Sequence, residues 1–137
     1  MILNEFIKDA EKNQMIAAIL KDHKVKVRVI HKPIKDYAYY VLGKGVLEIS
    51  NKKGVIRNEK DFLITVLHET WHAVQATKIG WRKFKDMWEY EANMISGGHY
   101  EGKTHPYDDN PHEIEAEEFG QKNWKQWYNK FKKQNLI

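Results

Sequence analysis

The sequence predicts an α+β fold in which a short, largely antiparallel sheet of three strands packs on helices. Strand signals are confined to residues 24–50, whereas helical spacing of apolar residues dominates residues 59–131. Residues 4–21 also show helical spacing, which predicts an N-terminal helix that packs on the core. The chain has 137 residues and no repeat, low-complexity segment or interdomain linker, so we expect a single domain over residues 1–137.

The three strands are predicted from alternation and from turn residues. Residues 24–30 alternate polar and apolar side chains, as a strand with one buried face does. Residues 37–42 and 46–50 flank Gly43-Lys44-Gly45, whose glycines tolerate the positive φ of a tight turn. The turn Asn51-Lys52-Lys53-Gly54 then separates the last strand from the helical part of the chain.

Two helices are predicted directly after these strands. Asn58 is a suitable N-cap and Gly80 a suitable stop for a helix over residues 59–79. An inserted helix over residues 81–96 is predicted from aromatic and apolar residues at helical spacing, and we expect its aromatic face to pack in the core. The residues of that face are Trp81, Phe84, Trp88, Ala92 and Ile95.

Within the first of these helices, the pentapeptide His68-Glu69-Thr70-Trp71-His72 matches the way helices hold a catalytic zinc ion. Residues four apart share a helix face, so His68 and His72 can bind one ion while Glu69 projects towards water beside it. Residues 65–74 carry no charge except that of Glu69, as expected for a helix buried in the domain centre. The motif predicts two metal ligands and a general base; the alternative is a buried helix whose histidines bond only to backbone groups.

Composition limits the other classes of function. The chain has no cysteine, which excludes disulfides and thiolate zinc sites. Its net charge of +4 comes mainly from scattered lysines, a pattern that favours a solvated surface over a nucleic-acid site. The N-terminus has no basic region followed by a long apolar run, and no segment approaches a membrane span, so we expect a cytoplasmic protein of a bacterium or of a virus-infected cell.

A third metal ligand is expected downstream, because a catalytic zinc ion usually has three protein ligands and one open position. The segment 110–120 begins with Asn110 as a cap and Pro111 at the first helical position, which predicts a helix that ends near residue 131. Four glutamates lie in its first turns: Glu113, Glu115, Glu117 and Glu118.

With this Glu-Ala helix the chain resembles the gluzincin peptidases, whose third ligand is a glutamate on a later helix, often followed by alanine. It is most similar to the minigluzincins and to phage-like metallopeptidases of mobile elements, which carry Glu-x-Glu-Ala-x-x-Phe-Ala. The resemblance implies that Glu115, which precedes Ala116 and lies four residues before Phe119, is the third ligand, with Glu113 as the second choice. It also implies a zincin-like fold with an active-site helix and a C-terminal ligand helix.

The gluzincin pattern also places an Asp four residues after the ligand, where it orients a zinc-bound imidazole. Phe119 occupies that position in this chain, so we expect Glu118, Asp108 or Asp109 to take the role. Glu117 lies on a more polar side of the helix and is expected to be solvated.

The chemistry predicted from this set is zinc-dependent hydrolysis of a peptide bond. One Zn²⁺ ion held by His68, His72 and Glu115 would polarise a water molecule, from which Glu69 would take a proton before passing it to the leaving amine. Tyr107, just before the ligand helix, is the first candidate for a donor to the developing oxyanion, as a tyrosine is in some gluzincins.

The remaining expectations concern the loop and the substrate. His99, Tyr100 and His105 are further candidate donors in the loop before the last helix. The strand at 46–50 resembles the edge strand on which zincins lay an extended protein or peptide substrate.

Two alternatives stay open at this point. The same site could hydrolyse an amide bond other than a peptide bond. The domain could instead bind DNA or a partner protein, with a structural or vestigial zinc site. The enzyme is favoured, because a structural site has no need of Glu69.

Overall fold

The structure, a computed structural model, describes residues 9–41 and 44–137. Those residues form an α+β domain of four helices and three strands, which confirms the predicted fold class at this level. The elements in chain order are α1 (Asp9–Asp22), β1 (Arg28–Lys32), β2 (Ala38–Val41), β3 (Val46–Ser50), α2 (Glu59–Ile79), α3 (Trp81–Ser96) and α4 (Pro111–Lys133). The predicted start of the first helix at residue 4 and the turn residue Gly43 lie outside the described residues.

The sheet is mixed, with strand order β1-β3-β2, so the prediction of a largely antiparallel sheet is wrong. β1 pairs with β3 in parallel, and only β2 pairs with β3 antiparallel. The central position of β3 agrees with its burial: Leu47 and Ile49 are buried on one face, and Ser50 is buried as well. β3 is therefore not the edge strand that the sequence predicted, because both of its hydrogen-bonding edges are already paired.

β1 begins at Arg28 rather than at residue 24. Lys24 has a φ of +56°, a left-handed conformation that belongs to the turn closing α1 and not to a strand. The amides of His23, Lys24 and Val25 donate hydrogen bonds to carbonyls of the last turn of α1. The start of the predicted strand at residues 24–30 therefore ends helix α1 instead of pairing in the sheet.

Helix α2 has the predicted bounds and forms the centre of the domain. The Asn58 side chain accepts a hydrogen bond from the amide of Asp61 at 2.8 Å, which confirms its role as N-cap. At the other end, Gly80 has a φ of +92°, a conformation that favours glycine. The core around α2 is formed by apolar side chains of α1, β3, α2 and α4, which include Met15, Ile16, Ile19, Leu47, Ile49, Phe62, Leu63, Val66, Leu67, Trp127 and Phe131.

Helix α3 is only partly buried, in contrast to the aromatic core face predicted for it. Phe84 and Ile95 are its buried residues, and the predicted core residue Trp81 is 48% exposed. The Trp88 side chain is half-buried and reaches α4. Among the helices of residues 9–41 and 44–137, none combines the length and the apolar character needed to cross a membrane.

The close approach of α4 to α2 depends on a glycine. Gly120 is buried, and a Cβ atom at this position would lie 3.0 Å from the carbonyl oxygen of Ile64 and 3.2 Å from its Cγ2 atom. A backbone carbonyl inside a helix cannot move aside as a flexible side chain can, so any larger residue must separate the two helices.

We therefore expect Gly120→Val to lower the free energy of unfolding by about 2–3 kcal/mol, because it overpacks this contact. The control is Gln126→Val on the exposed side of the same helix, which carries the same β-branched residue into α4 without a close neighbour and should cost less than about 1 kcal/mol. Urea unfolding followed by circular dichroism measures both, and equal losses would show that the glycine is not needed for the contact.

Candidate functional site

The three residues of the sequence motif converge on α2. His68, Glu69 and His72 are buried, and one potential ligand atom of each lies within 4.8 Å of those of the other two. The Nε2 atom of His68 is 4.0 Å from a carboxylate oxygen of Glu69. This group could hold a metal ion, as the helical spacing predicted.

Glu113 from α4 brings a carboxylate to the same point. Its Oε1 atom lies 2.9 Å from Nε2 of His68 and 3.0 Å from Nε2 of His72. Asn110 caps α4 by accepting from the amide of His112, and Pro111 is the first helical residue, so Glu113 lies in the first turn of the helix. The N-terminus of a helix also favours a negative charge at this position.

Glu115 is not brought together with the two imidazoles. Its Oε1 atom accepts a hydrogen bond from the indole of Trp71 at 2.6 Å and another from the amide of Gln75 at 3.2 Å. Its side chain is exposed, whereas that of Glu113 is buried. The carboxylate placed between His68 and His72 is thus that of Glu113, half a turn before the first choice made from the sequence.

Glu117 contacts a motif histidine, although the sequence placed it on the solvated side of the helix. Its Oε2 atom is 3.0 Å from Nδ1 of His68, and its other oxygen accepts from the amide of Gln121. Glu117 lies four residues after Glu113, so one helix face supplies both carboxylates. The orienting carboxylate is therefore Glu117, and not one of the three acidic residues expected from the sequence.

Those three residues have other positions. Asp109 accepts hydrogen bonds from the amides of Thr104 and His105 in the loop before α4. Asp108 and Glu118 are exposed.

Gln75 orients the second histidine. Its Oε1 atom accepts from Nδ1 of His72 at 2.8 Å, while its amide nitrogen donates to the carbonyl oxygen of His112 and to Glu115. With Nδ1 of each ring facing an oxygen acceptor, the Nε2 atoms of His68 and His72 both point to Glu113. Two Nε2 atoms and one carboxylate oxygen at a single point are the donor set of a catalytic zinc site, so the side chains present fit this metal.

Two aromatic residues enclose Glu113. The indole nitrogen of Trp88 donates to its Oε2 atom at 2.8 Å, and the ring of Tyr107 lies edge-on to Trp88 with centroids 6.2 Å apart. From the sequence, Trp88 was assigned to the core and Gln75 was given no role in the site. A Gln one turn after a motif histidine was the only available signal for the latter.

Tyr107 is the one loop candidate that lines the site. It borders both cavities next to the motif, in which His99, Tyr100 and His105 take no part. Burial and the negative charges of Glu113 and Glu69 raise the pKa of its phenol above the ordinary value of 10. The hydroxyl group therefore keeps its proton and can act as a donor.

The environment of Glu69 favours its neutral form in the absence of a cation. Burial raises the pKa of Glu69 from 4.5 to about 8, and the negative charges of Glu113 and Glu117 act in the same direction. The charge of His72 and a hydrogen bond from the backbone amide of Tyr40 partly oppose this rise. A carboxyl group with a raised pKa beside an open cavity is typical of a general acid or base.

The pKa values of two neighbouring groups shift in the direction that favours the charged form. Burial alone would lower the pKa of His68, but hydrogen bonds and charges from Glu113 and Glu117 outweigh it and raise that pKa above 6.5. Burial alone would raise the pKa of Glu113, but hydrogen bonds from His68, His72 and Trp88 lower it below 4.5. Both shifts thus arise from the close contact between the Glu113 carboxylate and the motif histidines.

A cavity of about 560 Å³ opens beside the site. It is lined by β2 and the segment before it, by one face of α2, by Tyr107 and by Glu117 and Gln121 of α4. Both Glu69 and His68 border this cavity, so a molecule in it would reach the motif.

The raised pKa of Glu69 predicts how the stability of the metal-free protein depends on pH. The folded state retains the Glu69 proton up to about pH 8, whereas the unfolded state releases it near pH 4.5. Because only the unfolded state releases this proton between about pH 5 and 8, the free energy of unfolding falls as the pH rises through that range, by up to about 4 kcal/mol. With EDTA present, Glu69→Gln should gain stability relative to wild type over this range.

Thermal unfolding of wild type and Glu69→Gln at pH 5 and at pH 8 measures the effect. The difference between the two proteins isolates Glu69, because all other titrating groups are common to both. Glu101→Gln, at an exposed position in the loop after α3, should show no such pH-dependent gain. A constant difference between Glu69→Gln and wild type at both pH values would contradict the raised pKa.

Comparisons of the chain with known protein families, with curated proteins and with solved structures found no match.

Proposed function

We propose that the protein is a zinc-dependent metallopeptidase of the gluzincin type. The observation that carries this proposal is the position of Glu113 Oε1, within 3.0 Å of the Nε2 atoms of both motif histidines. A structural site would need no base beside it, whereas Glu69 lies buried at the edge of an open cavity.

The proposed ligands are His68, His72 and Glu113, which replaces the Glu115 expected from the sequence. Glu117 and Gln75 hold the two imidazoles in the tautomer that leaves Nε2 free for a metal ion. A bound zinc ion supplies Lewis acidity, which lowers the pKa of a coordinated water towards about 7 and polarises a carbonyl group.

Glu69 is the proposed general base. A divalent cation beside it stabilises the carboxylate, so its pKa falls below the value of the metal-free protein. The Tyr40 amide holds the carboxylate at the mouth of the cavity. In this position Glu69 can accept a proton from water and then deliver it to the leaving amine.

Tyr107 stays the candidate donor to the developing oxyanion. It lines both cavities, and its phenol remains protonated across the physiological pH range. A neutral hydroxyl beside the reacting carbonyl stabilises the negative charge that forms on its oxygen.

The substrate is proposed to lie along β2, the strand that borders the cavity, and not along β3. The amide of Ser50 donates to the carbonyl of Tyr37 at 2.8 Å, so the backbone groups of residues 37, 39 and 41 face β3. Those of Ala38 and Tyr40 face away from β3, and Tyr40 already donates to Glu69. Ala38 thus offers its amide and carbonyl to an extended peptide in the cavity.

Substitution Glu69→Gln tests the base. The amide keeps the shape of the side chain but cannot accept a proton, so kcat on an unfolded protein substrate should fall at least about 1,000-fold while zinc content stays at one ion per chain. Glu101→Gln is the matched control and should retain wild-type turnover. Equal turnover in Glu69→Gln and wild type would exclude Glu69 as the base.

A pair of glutamine substitutions tests the third ligand. Glu113→Gln should weaken zinc binding by at least about 100-fold, since it removes a ligand directly. Glu115→Gln should weaken it by about 10-fold or less, because Glu115 reaches His72 only through Gln75. Competition with a chromogenic chelator measures both affinities, and a larger loss for Glu115→Gln would restore the ligand assigned from the sequence.

A further inference from the structure

The walls of the site are acidic. Beside the 560 Å³ cavity, a second cavity of about 240 Å³ also borders His68. Among the described residues that line the two cavities, seven are carboxylates and only Lys35 is a lysine or arginine. The seven are Asp36, Asp61, Glu69, Asp108, Glu113, Glu117 and Glu118.

This local excess is opposite to the charge of the whole chain, which is +4. Glu69 and Glu113 belong to the proposed zinc site, where a divalent cation offsets their charges. Asp36, Asp61 and Glu117 remain in the larger cavity, where a low-dielectric wall strengthens their field on a bound molecule. A cavity with this field attracts cations and repels acidic side chains and phosphates.

The acidic groups of the larger cavity extend away from the metal ligands along one face of α2. Asp61, Thr65 and His68 line it at spacings of four and three residues, which places them in one row. At the rise of an α-helix, Asp61 lies about 10 Å along the axis from His68. An extended peptide covers this distance in about three residues.

A second feature of this row is an unused hydrogen-bonding group. Thr65 is 5% exposed, and its Oγ1 atom is buried without a hydrogen-bond partner in the described part of the chain. It lines the cavity between Asp61 and His68 on the same face of α2. A buried hydroxyl without a partner is costly, and a ligand in the cavity can supply the missing bond.

Asp36 lines the same cavity from the segment before β2. It accepts a hydrogen bond from the hydroxyl of Tyr39, which fixes its carboxylate while leaving the negative charge in place. Lys35 is the one lysine or arginine among the described residues that line this cavity, so the two aspartates Asp36 and Asp61 outnumber it.

We propose that the part of the cavity lined by Asp36, Asp61 and Thr65 is a subsite for a lysine or arginine side chain two or three residues from the scissile bond. This inference rests on the proposed peptidase function and names its substrate class as basic segments of unfolded proteins. The cation pairs with the two aspartates, while the Thr65 hydroxyl bonds to the substrate.

The first experiment identifies cleavage sites by mass spectrometry after the zinc-loaded protein has acted on denatured casein. Lysine and arginine should be enriched about tenfold over aspartate and glutamate at the second and third positions on one side of the cut. In the double variant Asp36→Asn/Asp61→Asn this enrichment should fall to about twofold, and Glu101→Gln should retain it. Raising the salt concentration from 0.05 to 0.5 M should also reduce it.

A binding measurement without turnover separates the two proposals. Zinc-loaded Glu69→Gln is titrated with two decapeptides taken from an efficiently cut sequence, identical except for lysine or glutamate at the enriched position. The lysine peptide should bind at least about fivefold more tightly, and the double aspartate substitution in this background should remove the difference. Circular dichroism and zinc content verify that each variant is folded.

The outcomes are distinct. If no protein is cut, the peptidase function is wrong. If proteins are cut without a preference for basic residues, or the double aspartate variant keeps the preference, the subsite is wrong while the peptidase function stands. Tight, salt-sensitive binding of an acidic peptide or of DNA in this cavity would overturn the inference as well.

Discussion

The arrangement of the helices depends on the hydrogen bonds accepted by the buried carboxylate of Glu113. It receives hydrogen bonds from His68 and His72 of α2 and from Trp88 of α3, and it lies in the first turn of α4. Removal of a carboxylate from water is unfavourable unless donors replace its hydration, and here three donors and a helix N-terminus do so. The same contacts that satisfy this charge bring three helices to one point.

The local parts of the site could be predicted from the sequence because their causes are local. The spacing of His68 and His72 and the caps Asn58 and Asn110 depend only on helix geometry and on backbone groups within a few residues. The choice between Glu113 and Glu115 is of another kind, since it depends on which face of α4 packs against α2. That face is set by the small buried residue Gly120 and its contact with Ile64, a contact between distant parts of the chain.

The residues that form this face of α4 nonetheless follow a helical spacing in the sequence, which can be recognised once the packing is known. Glu113, Ala116 and Gly120 are buried at spacings of three and four residues, as expected for one helix stripe, and Glu117 adjoins it. Phe119, which guided the choice of Glu115, has different surroundings, because it stacks on Trp71, and Ile114 beside Glu115 is 39% exposed. The sheet order was beyond reach for a similar reason, because strand alternation marks a buried face but does not specify the neighbours of a strand.

The hydrogen bond between His72 and Glu113 joins residues 41 positions apart and thereby closes a long segment that contains all of α3. Phe84 and Ile95 are the buried side chains of α3, and the bond from Trp88 to the same carboxylate adds to the attachment of this helix. Partial opening of a native protein tends to follow such weakly packed units. We therefore expect separation of α4 from the histidines and release of α3 to be coupled, so that whatever holds Glu113 against His68 and His72 also slows the exchange of amide hydrogens in this segment.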